Sequence, residues 1–179
     1  MPSEERWLPE GAKRDAQSIT RDWKPLGQVP IDGVIFLETR PVIAGYGHLT
    51  ELFRREWLPD NGEIDQIFTS CLNPAAVSAW HAHSVTTDRL GVVSGALRVV
   101  LYDGREQSAT YRRVNEFRIG AIRPGLLVVP PRVWHGIQNI GSVPAMVMNA
   151  VDRAYSYESP DHWRLPADSA AIPFTFPSL

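Results

Sequence analysis

The sequence has almost no cysteine, no strong excess of either charge and no long apolar run, and each shortage excludes a class of protein. Its single cysteine, Cys71, excludes an internal disulfide. A net charge of −2 over 179 residues gives no basic surface for nucleic acid. No apolar run approaches the ~20 residues that a membrane-spanning helix needs. The first residues, MPSEERWLPEG, lack the pattern of a signal peptide, so we expect a cytoplasmic protein.

Helical periodicity is also scarce, whereas turn-forming residues are abundant. The chain has 15 prolines and 13 glycines spread along its length, which suits many short strands joined by tight turns. A length of 179 residues is enough for one domain with a sizeable core. We interpret the polar residues 1–28 as an N-terminal extension, residues 29–174 as the β-barrel domain and residues 175–179 as a C-terminal tail.

Several segments alternate apolar and polar residues with period two, as half-buried strands do. Residues 91–103 are interpreted as two strands joined at Ser94-Gly95, with a further turn at Asp103-Gly104. Strands at such short spacing indicate an all-β sandwich or barrel. Ser159 and Pro160 stand in the order of an N-cap and a first helical residue, so a short C-terminal helix is predicted. The other predicted strands are 33–38, 65–70, 77–83, 117–120, 126–129 and 145–151.

Three histidines and one aspartate form the most informative pattern in the chain. His81 and His83 are two residues apart, so a strand would place both on one face. Asp88 follows at the start of the next predicted strand, and His135 follows a third. Three imidazoles and a carboxylate inside a small barrel would suit a divalent metal ion. His81 could equally be a catalytic base in a site without metal, and the sequence leaves both interpretations open.

Residues of about 31–174 resemble the dTDP-4-dehydrorhamnose 3,5-epimerase family, a branch of the cupins. The matching segments fall in the family's order and at nearly its spacing, and they cover about four-fifths of the chain. They are IDGV at 31–34, GHLTE at 47–51, DGREQSATY at 103–111, PPRVWHG at 130–136 and DRAYSYESP at 152–160, followed by the ending that contains Arg164, Asp168 and Pro173. The resemblance implies an all-β, cupin-type jelly roll, that is, a double-stranded β-helix.

The resemblance also implies roles for particular residues. In the family, a histidine held by an aspartate removes a proton beside a keto group. That histidine corresponds to His81, and the aspartate corresponds to Asp168. Glu51 and His135 also stand at family-matching positions. The implied reaction is epimerisation or isomerisation next to a carbonyl, on a small carbohydrate-derived ligand bound in the barrel.

The chain departs from the family at positions that carry its chemistry. The family's acid tyrosine corresponds to Met148, and its enolate-stabilising lysine corresponds to Asp88. Two arginines associated with the sugar diphosphate correspond to Tyr46 and Ser78. A thioether cannot donate a proton, and a carboxylate reverses the charge beside a developing enolate. These changes argue against the family's usual reaction on its usual substrate.

Two departures fit a second pattern: Asp88 at the lysine position, and His83 at a position where the family has a glutamine. From His81 to Gly95 the sequence resembles the first metal-binding motif of the wider cupin superfamily, and from Gly125 to Asn139 it resembles the second. The rival interpretation is therefore a metal-dependent cupin, an oxygenase or lyase. Its ligands for Zn²⁺, Mn²⁺, Fe²⁺ or Ni²⁺ would be His81, His83, Asp88 and His135. A non-catalytic sugar-binding cupin is the third interpretation.

The remaining expectations concern ligand contacts and assembly. Trp80 adjoins a site histidine and could form an aromatic wall, and Arg132 precedes His135 on a turn and could reach an anionic ligand. The expected substrate contacts are Glu51, Tyr46, Trp80, Arg132, His135 and Met148. In the resembling family, N-terminal strands cross to a partner, so we expect a homodimer here.

Overall fold

The computed structural model describes residues 7–22, 26–58 and 62–179, and its regular structure is almost entirely β-strand. Within these ranges the one helical segment is a 3-10 turn, Arg55–Trp57. No helix in them has the length and apolar character to cross a membrane. The strands are β1 (Ile35–Glu38), β2 (Val42–Ala44), β3 (Gly47–Leu49), β4 (Gln66–Leu72), β5 (Val77–Ala82), β6 (Asp88–Ser94), β7 (Ala96–Asp103), β8 (Val114–Gly120), β9 (Gly125–Val129), β10 (Val133–Asn139), β11 (Ala145–Val151) and β12 (Trp163–Arg164).

The strands form two five-stranded sheets and one hairpin. The first sheet has the order β1-β9-β6-β11-β4, and the second has the order β12-β5-β10-β7-β8. All pairs are antiparallel, and β2 and β3 pair only with each other. Because consecutive strands β5 and β6, and β9 and β10, alternate between the sheets, the chain winds into the jelly roll that the sequence predicts.

The main core lies between the two sheets. Leu127 and Val147 from the first sheet pack in one cluster with Val99, Leu101 and Val133 from the second, and all are at most 3% exposed. Burying apolar side chains of this size contributes about 1.5–3 kcal/mol each to folding, before the entropy cost of ordering the chain.

Both sheets are also covered on their outer faces. Leu126 and Val128 of β9 pack with Leu58, which lies before β4. Val100 and Tyr102 of β7 pack in a cluster with C-terminal aromatic residues. Strands buried on both faces are apolar at successive positions instead of alternating, which explains the unbroken apolar runs of β7 and β9.

The predicted strands are present, with small differences in their ends. The junction at Ser94-Gly95 is confirmed, because β6 ends at Ser94 and β7 begins at Ala96. Gly95 has a φ of +77°, and a Cβ there would lie 2.7 Å from the Cβ of Ala145. Only glycine combines that backbone conformation with such close packing against β11.

The predicted C-terminal helix is absent. The residues after Ser159 are irregular until the short strand β12, Trp163–Arg164. Asp161 does not join a helical first turn; its carboxylate accepts hydrogen bonds from the loop at residues 84–86. A side chain at a helix start accepts hydrogen bonds from free backbone amides. Here the amides that Asp161 binds belong to a loop that is distant in sequence.

The packed domain extends slightly beyond the predicted boundaries at both ends. Oε1 of Gln28 accepts a hydrogen bond from the backbone N–H of Glu116 at 2.8 Å. At the other end, the ring of Phe176 lies 5.2 Å from that of Trp80, and Gln138 donates to the backbone oxygen of Pro177 at 2.8 Å. The C-terminal residues therefore close the outer face of the second sheet.

Candidate active site

Three histidine rings form a row across strands β5 and β10. His81 is in β5 and His83 follows the end of that strand, while His135 in β10 pairs in register with His81. The ring centroids of His81 and His135 are 5.8 Å apart, and those of His83 and His135 are 5.5 Å apart. Period-two alternation along β5 thus brings the predicted histidines together.

Asp88, at the start of β6 in the facing sheet, completes a buried cluster with two of these histidines. Its Oδ2 lies 3.1 Å from Nε2 of His83 and 3.3 Å from Nε2 of His135. His83 is 8% exposed, Asp88 2% and His135 7%. Their donor atoms all lie within 4.8 Å of one another. His81 is outside this group, so the cluster contains three of the four predicted metal ligands.

Hydrogen bonds fix the orientation of each member of the cluster. Nδ1 of His83 lies 2.5 Å from the backbone oxygen of Asp161, and Nδ1 of His135 lies 3.3 Å from that of Val133. A carbonyl oxygen only accepts, so Nδ1 of each ring is its donor. On the other side, Asn149 donates to Oδ1 of Asp88 at 2.7 Å. Both Nε2 atoms and Oδ2 therefore point at one another.

The charges in the cluster favour an ionised aspartate. Burial alone would raise the pKa of Asp88, but His83 and His135 outweigh it and lower this pKa to about 2. Burial lowers the pKa of His83, and its contact with Asp88 more than compensates, so this pKa is raised. For His135 the desolvation prevails, and its pKa is lowered. The ionised Asp88 therefore lies beside His83, whose protonated form is favoured, and His135, whose neutral form is favoured.

His81 has a different set of partners. Its Nε2 lies 2.9 Å from Oγ of Ser78, three residues earlier in β5. Burial, followed by the neighbouring His135 and Arg164, lowers the pKa of His81 to about 4, so its imidazole is neutral at pH 7. Asp168, the predicted partner of His81, is exposed, and no hydrogen bond or ion pair joins the two among the residues described.

A cavity of about 520 Å³ opens beside the buried cluster. His83 and Asp88 form part of its lining, together with Phe68, Tyr155 and His162. The His162 ring meets the His83 ring edge to face at 4.6 Å and lies 5.5 Å from the ring of Tyr155. This volume lies within the range typical of small-molecule sites, about 300–1,000 Å³.

Asp161 fastens the loop that borders this cavity. Its carboxylate accepts from the backbone N–H and hydroxyl of Ser84, from the N–H of Val85, and from the N–H and hydroxyl of Thr86, at 2.5–3.1 Å. Partial burial opposes ionisation, but these donors hold the pKa of Asp161 well below its usual range. Because its backbone oxygen also accepts from His83, Asp161 connects the cavity wall to the histidine cluster.

The predicted substrate contacts other than His135 lie elsewhere. Trp80 is fully buried on the outer face of its sheet, against Phe176 and Phe174, so it forms no cavity wall. Met148 is buried in β11 and is not part of the cavity lining. The other three lie at the surface: Glu51 pairs with Arg54, Tyr46 is 83% exposed, and Arg132 donates to the backbone oxygen of Ser84.

Three residues of the site escaped the sequence-based reasoning. His162 belongs to none of the sequence motifs, and no spacing rule connects it to His83. Asn149 and Ser78 each orient a predicted site residue, Asp88 and His81 respectively. The only sequence signal for Asn149 is its position in β11, which neighbours β6, and strand order was not predictable from the sequence.

Comparison with known proteins places this site in a family. The model of dTDP-4-dehydrorhamnose 3,5-epimerase matches residues 28–177. A probable low-salt glycan biosynthesis epimerase of Haloferax volcanii is 37% identical over 125 residues, which are 68% of this chain and 79% of that protein. The chain belongs to the dTDP-4-dehydrorhamnose 3,5-epimerase family. A spore coat polysaccharide biosynthesis protein of Bacillus subtilis is 32% identical over 103 residues, 58% of this chain and 68% of that protein.

Solved structures agree with this membership. A dTDP sugar isomerase from Desulfovibrio desulfuricans has a TM-score of 0.76 and 33% identity, covering 84% of this chain and 94% of that one. An epimerase of this family from Bacillus anthracis, solved with TDP and PPi bound, has a TM-score of 0.72. At 21% identity, over 84% of this chain and 90% of that one, this second likeness shows the shared fold.

Proposed function

We propose that this member of the dTDP-4-dehydrorhamnose 3,5-epimerase family binds a small carbohydrate-derived carbonyl compound in the cavity and exchanges a proton next to that carbonyl. The observation that carries the proposal is the cavity of about 520 Å³ that reaches the buried His83–Asp88 pair. Its aromatic wall at Tyr155 and His162 suits a sugar or another planar ligand. The result of the reaction is epimerisation or isomerisation.

In this proposal His81 is the proton acceptor. It stands at the position of the family's base, and its neutral imidazole has a lone pair available at physiological pH. Ser78 orients the ring through Nε2 in place of the aspartate that the family resemblance implied. Ser78 is therefore a positioning residue, and Asp168 has no such role.

We expect little or no activity on dTDP-4-keto-6-deoxyglucose. The residues at the family's acid, lysine and two arginine positions are Met148, Asp88, Tyr46 and Ser78, so a proton donor and three cationic groups are missing together. The test is incubation in D₂O with this sugar and with a panel of other nucleotide-linked and free keto sugars, followed by NMR.

The proposal predicts deuterium incorporation next to the carbonyl in at least one other member of that panel. Rapid incorporation at C3 and C5 of the dTDP sugar would contradict the expected change of substrate. Binding of a keto sugar without any exchange would contradict the catalytic proposal and favour a non-catalytic sugar-binding protein.

We propose that the protein is a homodimer through its N-terminal strands. The hairpin β2–β3 pairs with neither large sheet, and Val42, Ile43 and Leu49 on it are 62%, 80% and 61% exposed. Apolar strands of this kind are better covered by a second copy than left in water. Light scattering at micromolar concentration should give twice the chain mass, and Ile43→Glu should shift the protein to monomer. A monomeric wild type would contradict the proposal.

A further inference from the structure

We propose that His83, Asp88 and His135 together bind one divalent transition-metal ion. Neutral imidazole nitrogens and a carboxylate oxygen are the donors that Zn²⁺, Mn²⁺, Fe²⁺ and Ni²⁺ share. The three donor atoms are Nε2, Oδ2 and Nε2, and each residue is at least nine-tenths buried. The proposal omits His81 from the ligand set, unlike the four-ligand hypothesis drawn from the sequence.

Two of the three separations between the donor atoms match those of ligands that share a metal. Two donors about 2.1 Å from one ion, at angles of about 90–109°, are about 3.0–3.4 Å apart. Oδ2 of Asp88 lies 3.1 Å from Nε2 of His83 and 3.3 Å from Nε2 of His135. The pairs are therefore already spaced as ligands, before any movement of the side chains.

The hydrogen bonding of Asp88 gives a second, independent observation. Oδ2 of Asp88 is a fully buried oxygen without an aligned hydrogen-bond donor among the described residues. Such an atom is costly unless something compensates its charge. The Nε2 atoms that surround it belong to rings whose Nδ1 atoms face backbone oxygens, so in the neutral rings the Nε2 lone pairs face inward. A metal ion would take the place of the proton that His83 otherwise favours at Nε2. A cation at the centre would satisfy all three atoms.

The outer contacts are those that orient metal ligands. Histidine ligands commonly donate their second nitrogen to a backbone oxygen, as His83 does to Asp161. Asn149 holds the other oxygen of Asp88, and its own Oδ1 accepts from the backbone N–H of Arg89 at 3.0 Å. The carboxylate is thereby fixed with Oδ2 toward the two imidazoles.

A three-residue ligand set has a consequence for the chemistry of the cavity. His83 and Asp88 line the cavity, so a bound ion would have its free coordination positions toward a ligand there. Two neutral imidazoles and one carboxylate around a dication give the site a net charge of +1. This positive charge would lie beside Asp88, the position at which the family has its lysine. His81 remains available as a base, so metal binding and proton transfer are compatible.

The experiment is metal binding by the full chain, purified without a histidine tag and stripped with chelator. Calorimetry with Zn²⁺ alone should give one equivalent per chain, and Zn²⁺ should raise the melting temperature of the wild type. His83→Ala, His135→Ala and Asp88→Asn should each weaken Zn²⁺ affinity at least tenfold. The exposed Glu106→Gln, in the loop after β7, is the control, and it should bind Zn²⁺ as the wild type does.

His81→Ala tests the composition of the ligand set. We expect it to retain one equivalent of Zn²⁺ with an affinity within about threefold of the wild type. Loss of binding in His81→Ala to the same extent as in His135→Ala would overturn the three-residue assignment. Substoichiometric binding by the folded wild type, or equal weakening in Glu106→Gln, would overturn the site itself. Circular dichroism and the melting temperature of each metal-free variant identify any variant that fails to fold. If an alanine variant fails to fold, Asp88→Asn, which preserves the shape of the side chain, provides the test instead.

Discussion

His81→Ala should reduce the rate of proton exchange by about 10²–10⁴-fold, the usual contribution of a positioned general base. The expected loss is in kcat, because a general base acts on the transferred proton and contributes little to ligand binding. The measurement is the initial rate of deuterium incorporation into whichever keto sugar of the panel is turned over. Glu106→Gln, at an exposed residue of the loop after β7, is the control and should retain full activity.

Two further variants separate the observed arrangement from the one that the family resemblance implied. Ser78→Ala removes the hydroxyl beside Nε2 of His81 and should lower the exchange rate by a smaller factor, about tenfold. Asp168→Ala should have no effect. A His81→Ala protein that still exchanges at the wild-type rate would remove His81 from the mechanism, and His162, which lines the cavity, would then be the histidine to test.

Asp161→Ala should lower the stability of the fold at the border of the cavity. It removes an acceptor that serves Ser84, Val85 and Thr86. Hydrogen bonds to a charged group contribute about 1.5–3 kcal/mol each when buried, but this carboxylate is partly exposed and screened. We therefore expect a loss of about 2 kcal/mol in the free energy of unfolding, measured by urea denaturation at pH 7, and weaker ligand binding.

The effect of Asp161 should depend on pH in a defined direction. Its donors hold the pKa of the folded carboxyl well below the unfolded value of about 3.9. A group with a lowered folded pKa stabilises the protein fully above its unfolded pKa, and the stabilisation is lost as the pH falls toward the folded pKa. The stability difference between wild type and Asp161→Asn should therefore be constant from pH 7 to about 5 and shrink below about 4. The exposed Asp168→Asn is the control, and a difference that grows at low pH would contradict this account.

The family resemblance and the residue pattern together predicted the jelly roll, because period-two alternation and turn residues are local properties. The junction at Ser94-Gly95 is an example, since a glycine between two apolar runs indicates a turn whatever surrounds it. The C-terminal helix was predicted by the same kind of rule and is wrong. The signal was Ser159 followed by Pro160, and such a local signal does not determine which backbone amides will lie near. In the structure the adjacent Asp161 accepts from the amides of residues 84–86.

Much of the candidate site was also predictable. The spacing of His81 and His83 determines that both side chains leave a strand on one face, and the motif from Gly125 to Asn139 places His135 near them. The strand that contains His135, β10, is not among the predicted strands. The sequence could not predict that Asn149 would hold Asp88, because that contact joins neighbouring strands whose order depends on the whole sheet.

The sequence by itself determined which residue types the site contains, whereas the tertiary structure decided which of them meet. His81 and His83 are equivalent in the local pattern, yet His83 contacts Asp88 and Asp161, while His81 contacts Ser78. Trp80, next to His81 in sequence, is turned to the outer face under the C-terminal residues. Alternation along a strand determines the face of each side chain, but the atoms that face one another across two sheets depend on how the sheets pack.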